Sequence, residues 1–145
     1  MSKLWEIINR LRKLTNILFS LSLFLAVQLN GQEQLTRILF VLDASNSMNA
    51  DWGNGQTRIE AAKEILAKHV DSLVGIPNLE IALRVYGHQS PITATYQDCN
   101  DTKLEVPFGD TKTNSTLIKQ RIQKLEPKGT TPIAYSLGEC TADFT

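Results

Sequence analysis

The chain of 145 residues has the length of one domain, and its composition, 42% hydrophobic and 21% charged, is that of an ordinary globular protein. The formal net charge of zero hides an asymmetry: Lys3, Arg10, Arg12 and Lys13 against Glu6 give +3 before residue 17, and the remainder carries −3. This mildly acidic remainder has no cluster of Lys and Arg, which argues against a nucleic-acid-binding protein.

The first 31 residues have the pattern of a signal peptide. A basic segment ends at Lys13, an apolar stretch runs from Ile17 to Val27, and Gly31 is a suitable last residue before cleavage. The apolar stretch is shorter than the roughly 20 residues that span a bilayer. We therefore predict a signal peptide over residues 1–31 and an exported protein in the periplasm, at the cell surface or outside the cell. An uncleaved membrane anchor is the alternative.

The next segment predicts a buried strand followed by a loop. Leu35 to Leu42 ends in five consecutive apolar residues, and its β-branched and aromatic content favours a strand buried on both faces, as in a parallel sheet. Asp43 ends this run, and the polar segment 44–57 predicts a loop. Trp52 in this loop either rims a binding face or packs within the loop.

Residues 58–86 predict a helix and a second strand. From Arg58 to Val74, apolar residues recur at three- and four-residue steps until Gly75 and Pro77 stop the pattern. Leu79 to Tyr86 then alternates, with Glu80 and Arg84 on the polar side. This alternation predicts a strand with one wetter face, near an edge of the sheet.

Residues 87–102 predict an irregular segment in which the acids Asp98 and Asp101 are solvated. His88 is predicted to be a surface or loop-packing residue, with a role facing or supporting a ligand as the less favoured alternative. A short third strand follows at 104–108 and a second helix at 114–125. The two cysteines, Cys99 and Cys140, allow one disulfide in an exported protein, and we leave open whether they pair.

The last segment predicts a third helix that is still running near Thr145. Thr131 is a good N-cap, and Pro132 suits the first helical position. An apolar stripe of Ile133, Leu137, Cys140 and Phe144 should face the core.

Strands that alternate with amphipathic helices indicate an α/β sheet with helices on its faces. The chain stops inside a helix with only one strongly buried strand, and such a strand needs neighbours on both sides. We therefore predict a sequence truncated before the last strands of its sheet.

Two polar segments should meet at the carboxyl ends of the strands, where open α/β sheets bind ligands. Asp43, Ser45 and Ser47 offer one carboxylate and two hydroxyls at alternate positions, and Thr131 offers a third hydroxyl. Hard oxygen ligands with few charges suit Mg²⁺, with Mn²⁺ or Ca²⁺ as alternatives. A single anionic ligand leaves the ion electrophilic and favours capture of a partner's carboxylate.

These residues resemble those of a known family. Asp43-Ala44-Ser45-Asn46-Ser47 after an apolar strand is similar to the first motif of the metal-ion-dependent adhesion site of von Willebrand factor A domains. The similarity extends over about residues 36 to 145. It includes Met48, the helix start at 57–63, the strand end at 85–88, and 129–133, which looks like the second metal loop of bacterial members.

The resemblance implies a doubly wound, Rossmann-like and mostly parallel sheet over residues 32–145, incomplete at its C-terminus, with a metal at the loop end. It implies that Asp43, Ser45 and Ser47 are first-loop ligands and Thr131 the second-loop threonine, with Thr130 as the competing candidate. The family also uses a third-loop aspartate after a later strand, and this sequence ends before such a position.

The resemblance favours a non-enzymatic module that binds a protein or other partner through a metal-bound carboxylate. A hydrolase with Asp43 as nucleophile is less favoured, because such sites carry a second acid where this chain has Ser45. A third alternative is an envelope scaffold or assembly subunit whose metal loop is inactive.

Overall fold

The computed structural model describes residues 2–28 and 34–144, and the chain divides into two compact units, Met1–Gln34 and Leu35–Thr145. The first unit contains helix α1, Ser2–Gln28. Among the described residues, no helix combines the length and apolar character needed to cross a membrane. The predicted cleavage position at Gly31 lies outside the described residues.

The second unit is an α/β domain whose elements follow one another in the predicted order. A short 3₁₀ helix, Asn46–Asn49, and a small hairpin interrupt the loop predicted after the first strand. The elements are β1 Thr36–Asp43, β2 Asp51–Gly53, β3 Gln56–Thr57, α2 Arg58–Ser72, β4 Leu79–Tyr86, β5 Thr102–Asp110, α3 Thr111–Gln123 and α4 Ile133–Asp143.

The main sheet has the strand order β1-β4-β5. Strand β1 runs parallel to β4, in a register from Thr36 opposite Leu79 to Asp43 opposite Tyr86, whereas β5 is antiparallel to β4. Helices α2 and α3 lie on one face and α4 on the other, so the predicted α/β architecture is confirmed.

The hydrophobic core lies between the sheet and helices α2 and α3. Alternate residues of β4 point into this core because successive side chains of a strand face opposite sides of the sheet. The buried apolar residues of the cluster are Leu42, Ala44, Ile59, Leu66, Val70, Leu79, Ile81, Leu83, Val85, Val106, Ile118, Ile122 and Leu125.

The opposite face of β4 is not the wet face that we predicted from its alternation, and β4 is the central strand of the described sheet. Arg84 lies under α4, where Nε and Nη2 donate to the two carboxylate oxygens of Asp143 at 2.6 Å. Glu80 pairs with Arg37 of β1 at 2.9 Å. On this face of β4 the charged side chains are therefore paired with opposite charges and not, as the alternation suggested, solvated.

The same ion pair decides which side of α4 faces the sheet. Ser136 is fully buried, whereas Ile133 and Leu137 of the predicted core stripe are 51% and 55% exposed. Asp143 lies seven residues after Ser136 and therefore on the same side of the helix. The prediction that the apolar stripe faces the core is wrong for Ile133 and Leu137, because the contact with Arg84 turns the side of α4 that carries Ser136 and Asp143 towards the sheet. Phe144, in contrast, packs on Phe108 of β5, with the ring centroids 4.8 Å apart.

Strand β1 also differs from its prediction. Within the described sheet only β4 lies beside it, and Leu42 is its single buried residue, whereas Val41 is exposed. Burial on both faces is therefore wrong for β1 among the described residues. A parallel strand loses exposure only when both of its edges and both of its faces are covered.

Local capping explains where the helices begin and end. Helix α2 begins after Thr57, whose amide donates to Glu60 Oε2 at 2.7 Å in a capping box, and it ends at Ser72, two residues before the predicted end. Helix α3 begins at Thr111, earlier than predicted, because Asp110 accepts from the Thr113 amide at 2.9 Å. Strand β5 is correspondingly longer than the predicted 104–108.

Candidate metal centre

The loop at residues 43–47, which we call the first metal loop after its predicted role, curls back on itself directly after β1. The Ser45 amide donates to Asp43 Oδ1 at 2.7 Å, and the hydroxyl oxygens of Ser45 and Ser47 are 3.2 Å apart. Ser45 is only 1% exposed, whereas Ser47 is exposed. The structure thus brings together the three alternate side chains that the sequence singled out. Coordination of an ion by them stays a prediction.

The segment 129–133, which we call the second metal loop after its predicted role, lies against the first metal loop. Ser45 and Gly129 form a parallel β-bridge, and the Asn46 amide donates to the Gly129 carbonyl at 2.9 Å. Thr131 follows two residues later and is exposed, and its hydroxyl makes no hydrogen bond within the described residues. The Thr130 hydroxyl, in contrast, donates to the Asp98 carbonyl. Of the two threonines, Thr131 therefore has the hydroxyl that is available to a ligand.

Thr131 does not cap helix α4, contrary to the prediction. The helix begins at Ile133, and the N-cap position is Pro132, with ψ of 59° and no side-chain hydrogen bond. The Ile133 amide instead donates to the Thr131 main-chain carbonyl at 2.9 Å. The proline is therefore the N-cap residue and not, as predicted, the first residue of the helix.

Gly87, at the end of β4, is what permits the two loops to approach so closely. Its φ is +73°, and a Cβ there would lie 2.6 Å from Ser45 Cα and would also overlap the Thr130 carbonyl oxygen. Glycine fits this space because it has no side chain, and it adopts this φ without strain. The sequence pattern placed Gly87 at a strand end but did not reveal this role.

Tyr86 adjoins the carboxylate of the candidate site. It lies opposite Asp43 in the register of β1 and β4 and is buried. Burial, the negative charge of Asp43 and a hydrogen bond to it raise the pKa of Tyr86 to about 12. The phenol therefore stays protonated at neutral pH and donates to the carboxylate, which leaves the remaining carboxylate lone pairs for other partners.

The donor set fits a hard divalent cation. It comprises one carboxylate and the hydroxyls of Ser45, Ser47 and Thr131, and Mg²⁺ prefers oxygen ligands and keeps several waters. Among the described residues, no group of three or more His, Cys, Asp or Glu side chains could hold a metal, so a histidine- or thiolate-based site is not formed there. Cys99 and Cys140 are free and do not form the disulfide that was left open.

A second polar cluster is centred on Glu105 of β5. The Glu105 carboxylate contacts His88 Nε2 at 2.8 Å, Lys103 Nζ at 3.4 Å and the Arg121 guanidinium. Burial tends to raise the pKa of Glu105, but the bond from His88 and the charges of Arg121 and Lys103 outweigh it and lower the pKa. His88 is thus a buried packing residue, one of the two roles predicted for it.

Comparison with known proteins agrees with this architecture. Residues 38–143 match the von Willebrand factor type A domain family. No curated protein sequence matches the chain. Among solved structures, an aerotolerance-related membrane protein from Bacteroides fragilis is 23% identical over 76% of this chain and 47% of its own, with a TM-score of 0.54.

Two further structures are similar. BatB, a conserved hypothetical protein from Bacteroides thetaiotaomicron, is 21% identical over 76% of this chain and 46% of its own, with a TM-score of 0.53. The vWF domain of the type V pili tip protein Mfa5 from Porphyromonas gingivalis is 19% identical over 77% and 33%, with a TM-score of 0.51. At these identities the likeness concerns the fold.

The present chain spans half or less of the length of each of these structures. The family match, in contrast, covers most of the chain, from the third residue of β1 to the end of α4. It includes both loops of the candidate site and the glycine between them. This chain belongs to the von Willebrand factor type A domain family.

Proposed function

We propose that this protein is an exported, non-enzymatic binding module that holds a divalent cation, Mg²⁺ in the first instance, and captures an acidic group of a protein or other partner through it. The observation that carries the proposal is that the loop after β1 curls so that Asp43 accepts from the Ser45 amide and the Ser45 and Ser47 hydroxyls lie 3.2 Å apart, beside the segment that begins at Gly129. A bound Mg²⁺ would keep an open coordination position for the partner's carboxylate.

The chain's own residues determine the character of such a site. Asp43 supplies a single negative charge, so a second anion from a partner would meet little repulsion. Ser45 is buried and anchored by its amide, whereas Ser47 and Thr131 are exposed towards an incoming group. A set of ligands with one buried and two exposed hydroxyls supports reversible ligand capture rather than a closed structural metal site.

We further propose that chain beyond Thr145 completes the sheet and supplies the third-loop aspartate. An apolar groove of about 370 Å³ runs along the open edge of β1 and is lined by Phe40, Val41, Leu42, Ile65 and Leu66, among others. The exposed Ile133 and Leu137 of α4 are further apolar surface without cover among the described residues. The matched structures, of whose chains the present one covers 46% and 33%, support this reading.

The proposed location outside the cytoplasm rests on the signal-peptide pattern of residues 1–31. It is supported by two of the similar structures, an aerotolerance-related membrane protein and a domain of a pilus-tip protein. An extracytoplasmic metal-dependent module would be positioned to contact proteins of the envelope or of surface appendages. Protein partners are accordingly the first class to search.

Isothermal titration of the 145-residue chain with MgCl₂, and with MnCl₂ and CaCl₂ in parallel, tests the proposal. We expect saturable binding that weakens at least tenfold in Asp43→Ala and Ser47→Ala, because each substitution removes a ligand oxygen. Ser72→Ala is the matched control, since its exposed hydroxyl donates only to the His69 carbonyl of its own helix. Equal affinity in Ser47→Ala and Ser72→Ala would reject the assigned ligands.

A further inference from the structure

Asp101 is a buried carboxylate, although its position in an irregular segment predicted a solvated side chain. It is 1% exposed. Its oxygens accept from the Gln89 amide at 3.0 Å, the Gln89 Nε2 at 3.1 Å and the Ser90 amide at 3.0 Å. Burial of a carboxylate is costly unless several donors compensate the lost water, and charge-assisted bonds from N–H groups are the strong kind that do so.

This carboxylate holds the loop after β4 in one conformation. Besides accepting from Gln89 and Ser90, Asp101 accepts the Gly87 amide on its main-chain carbonyl at 2.9 Å. Residues 87–90 are therefore bound to Asp101 at both ends of the turn. The prediction that Asp101 is solvated is wrong, because the turn covers its side chain with amide donors.

The turn at 87–90 in turn holds the second metal loop. The Gly129 amide donates to the Gly87 carbonyl at 2.8 Å, and the Lys128 amide donates to the same oxygen at 3.3 Å. A Cβ at Gly129 would lie 2.5 Å from Asp101 Oδ2 and 2.8 Å from the Ser90 carbonyl oxygen. Gly129 is thus packed directly against the buried carboxylate.

Gly129 is also the residue that contacts the first metal loop, through its bridge to Ser45 and its bond from the Asn46 amide. One continuous set of contacts therefore runs from Asp101 through Gly87 and Gly129 to Ser45. Mg²⁺ requires nearly ideal octahedral geometry at about 2.1 Å, so displacement of one loop by a fraction of an ångström weakens binding.

We infer that Asp101 is a positioning residue that sets the spacing of the two metal loops by holding the 87–90 turn against Gly129. The inference rests on the proposed function for its effect on metal affinity, and on the hydrogen bonds alone for its effect on the loops. Asp101 does not touch the proposed ion, and it acts through the main chain of glycines that admit no side chain.

Asn114 provides a matched comparison because it is a buried polar residue that serves the body of the domain. Its Nδ2 donates to the Ile81 carbonyl at 2.6 Å and to the Pro107 carbonyl at 2.8 Å. These bonds connect α3 to β4 and β5, and neither of them reaches the metal loops. Loss of Asn114 should therefore cost stability without moving Gly129 or Ser45.

The test compares Asp101→Asn with Asn114→Ala in the 145-residue chain. Asparagine keeps the size of Asp101 but turns one oxygen into an NH₂ group that faces amide donors. We expect both variants to lower Tm. Only Asp101→Asn should raise the Kd for Mg²⁺ at least tenfold and, in the metal-free protein, speed hydrogen exchange of the Asn46 and Gly129 amides at least tenfold.

Equal Kd values and equal exchange rates in the two variants would overturn the inference and leave Asp101 a stabilising residue only. If the unsubstituted protein binds no Mg²⁺ even with the proposed chain beyond Thr145 present, the proposed function fails, and the exchange rates of the metal-free proteins still decide whether Asp101 holds the loops. If Asp101→Asn does not fold, Gln89→Ala is tested in its place. Gln89 is exposed, and this substitution removes only the bond that its Nε2 donates to Asp101. Faster Asn46 and Gly129 exchange would then support the inference, and unchanged exchange would overturn it.

Discussion

The body of the domain and its loop end are held together by different forces. In the body, apolar side chains of β4 such as Ile81, Leu83 and Val85 are fully buried against α2 and α3. At the loop end, Gly87, Gly129 and Asp101 make the contacts through main-chain amides and one carboxylate. Burial of apolar area supplies most of the folding free energy, whereas directional hydrogen bonds specify positions. The body should therefore determine stability and the loop end the geometry of the site.

The largest effect on stability should come from a cavity in the body. Leu83 is 0% exposed, and Leu83→Ala should lower the free energy of unfolding by about 4 kcal/mol, because it removes buried methyl groups and leaves a void. Ile65→Ala, at a 56% exposed position of α2, is the control and should cost less than about 1 kcal/mol. Urea denaturation followed by circular dichroism measures both, and similar losses would contradict the assignment of the core.

The ion pair beneath α4 should follow with a smaller loss. Asp143→Ala leaves the Arg84 guanidinium buried with only the Thr102 hydroxyl as an acceptor, at 3.2 Å, and should cost about 3 kcal/mol. Replacing both partners, in Arg84→Met with Asp143→Leu, should restore most of that loss, since apolar residues need no counter-charge. A double variant as unstable as Asp143→Ala would mean that the pair is needed for more than mutual neutralisation.

Trp52 should show the smallest effect on stability. It is 68% exposed on the β2–β3 hairpin that follows the first metal loop, so the structure excludes the alternative that it packs within the loop. Trp52→Ala should change the free energy of unfolding by less than about 0.5 kcal/mol in the same urea titrations. A loss above about 1 kcal/mol would show that the hairpin belongs to the body rather than to the exposed loop end.

Much of the fold could be predicted from local sequence pattern. The recurrence of apolar residues at steps of three and four positions after Arg58 indicated α2. The alternation of apolar and polar residues from Leu79 located β4 at its observed bounds. The same alternation misplaced β4 near an edge, because the pattern records that Arg84 is charged but not that Asp143 lies above it. That partner is 59 residues away in the chain, beyond the reach of any local pattern.

The candidate site divides in the same way. The sequence by itself determined the side chains that could offer hard oxygens, Asp43, Ser45, Ser47 and Thr131, because ligand chemistry is a property of residue type. Only the tertiary structure decided that Gly129 lies beside Ser45 and that Asp101 is buried behind it. Such contacts arise where separate strands and loops converge, and their distances depend on the packing of the whole sheet rather than on neighbours in the chain.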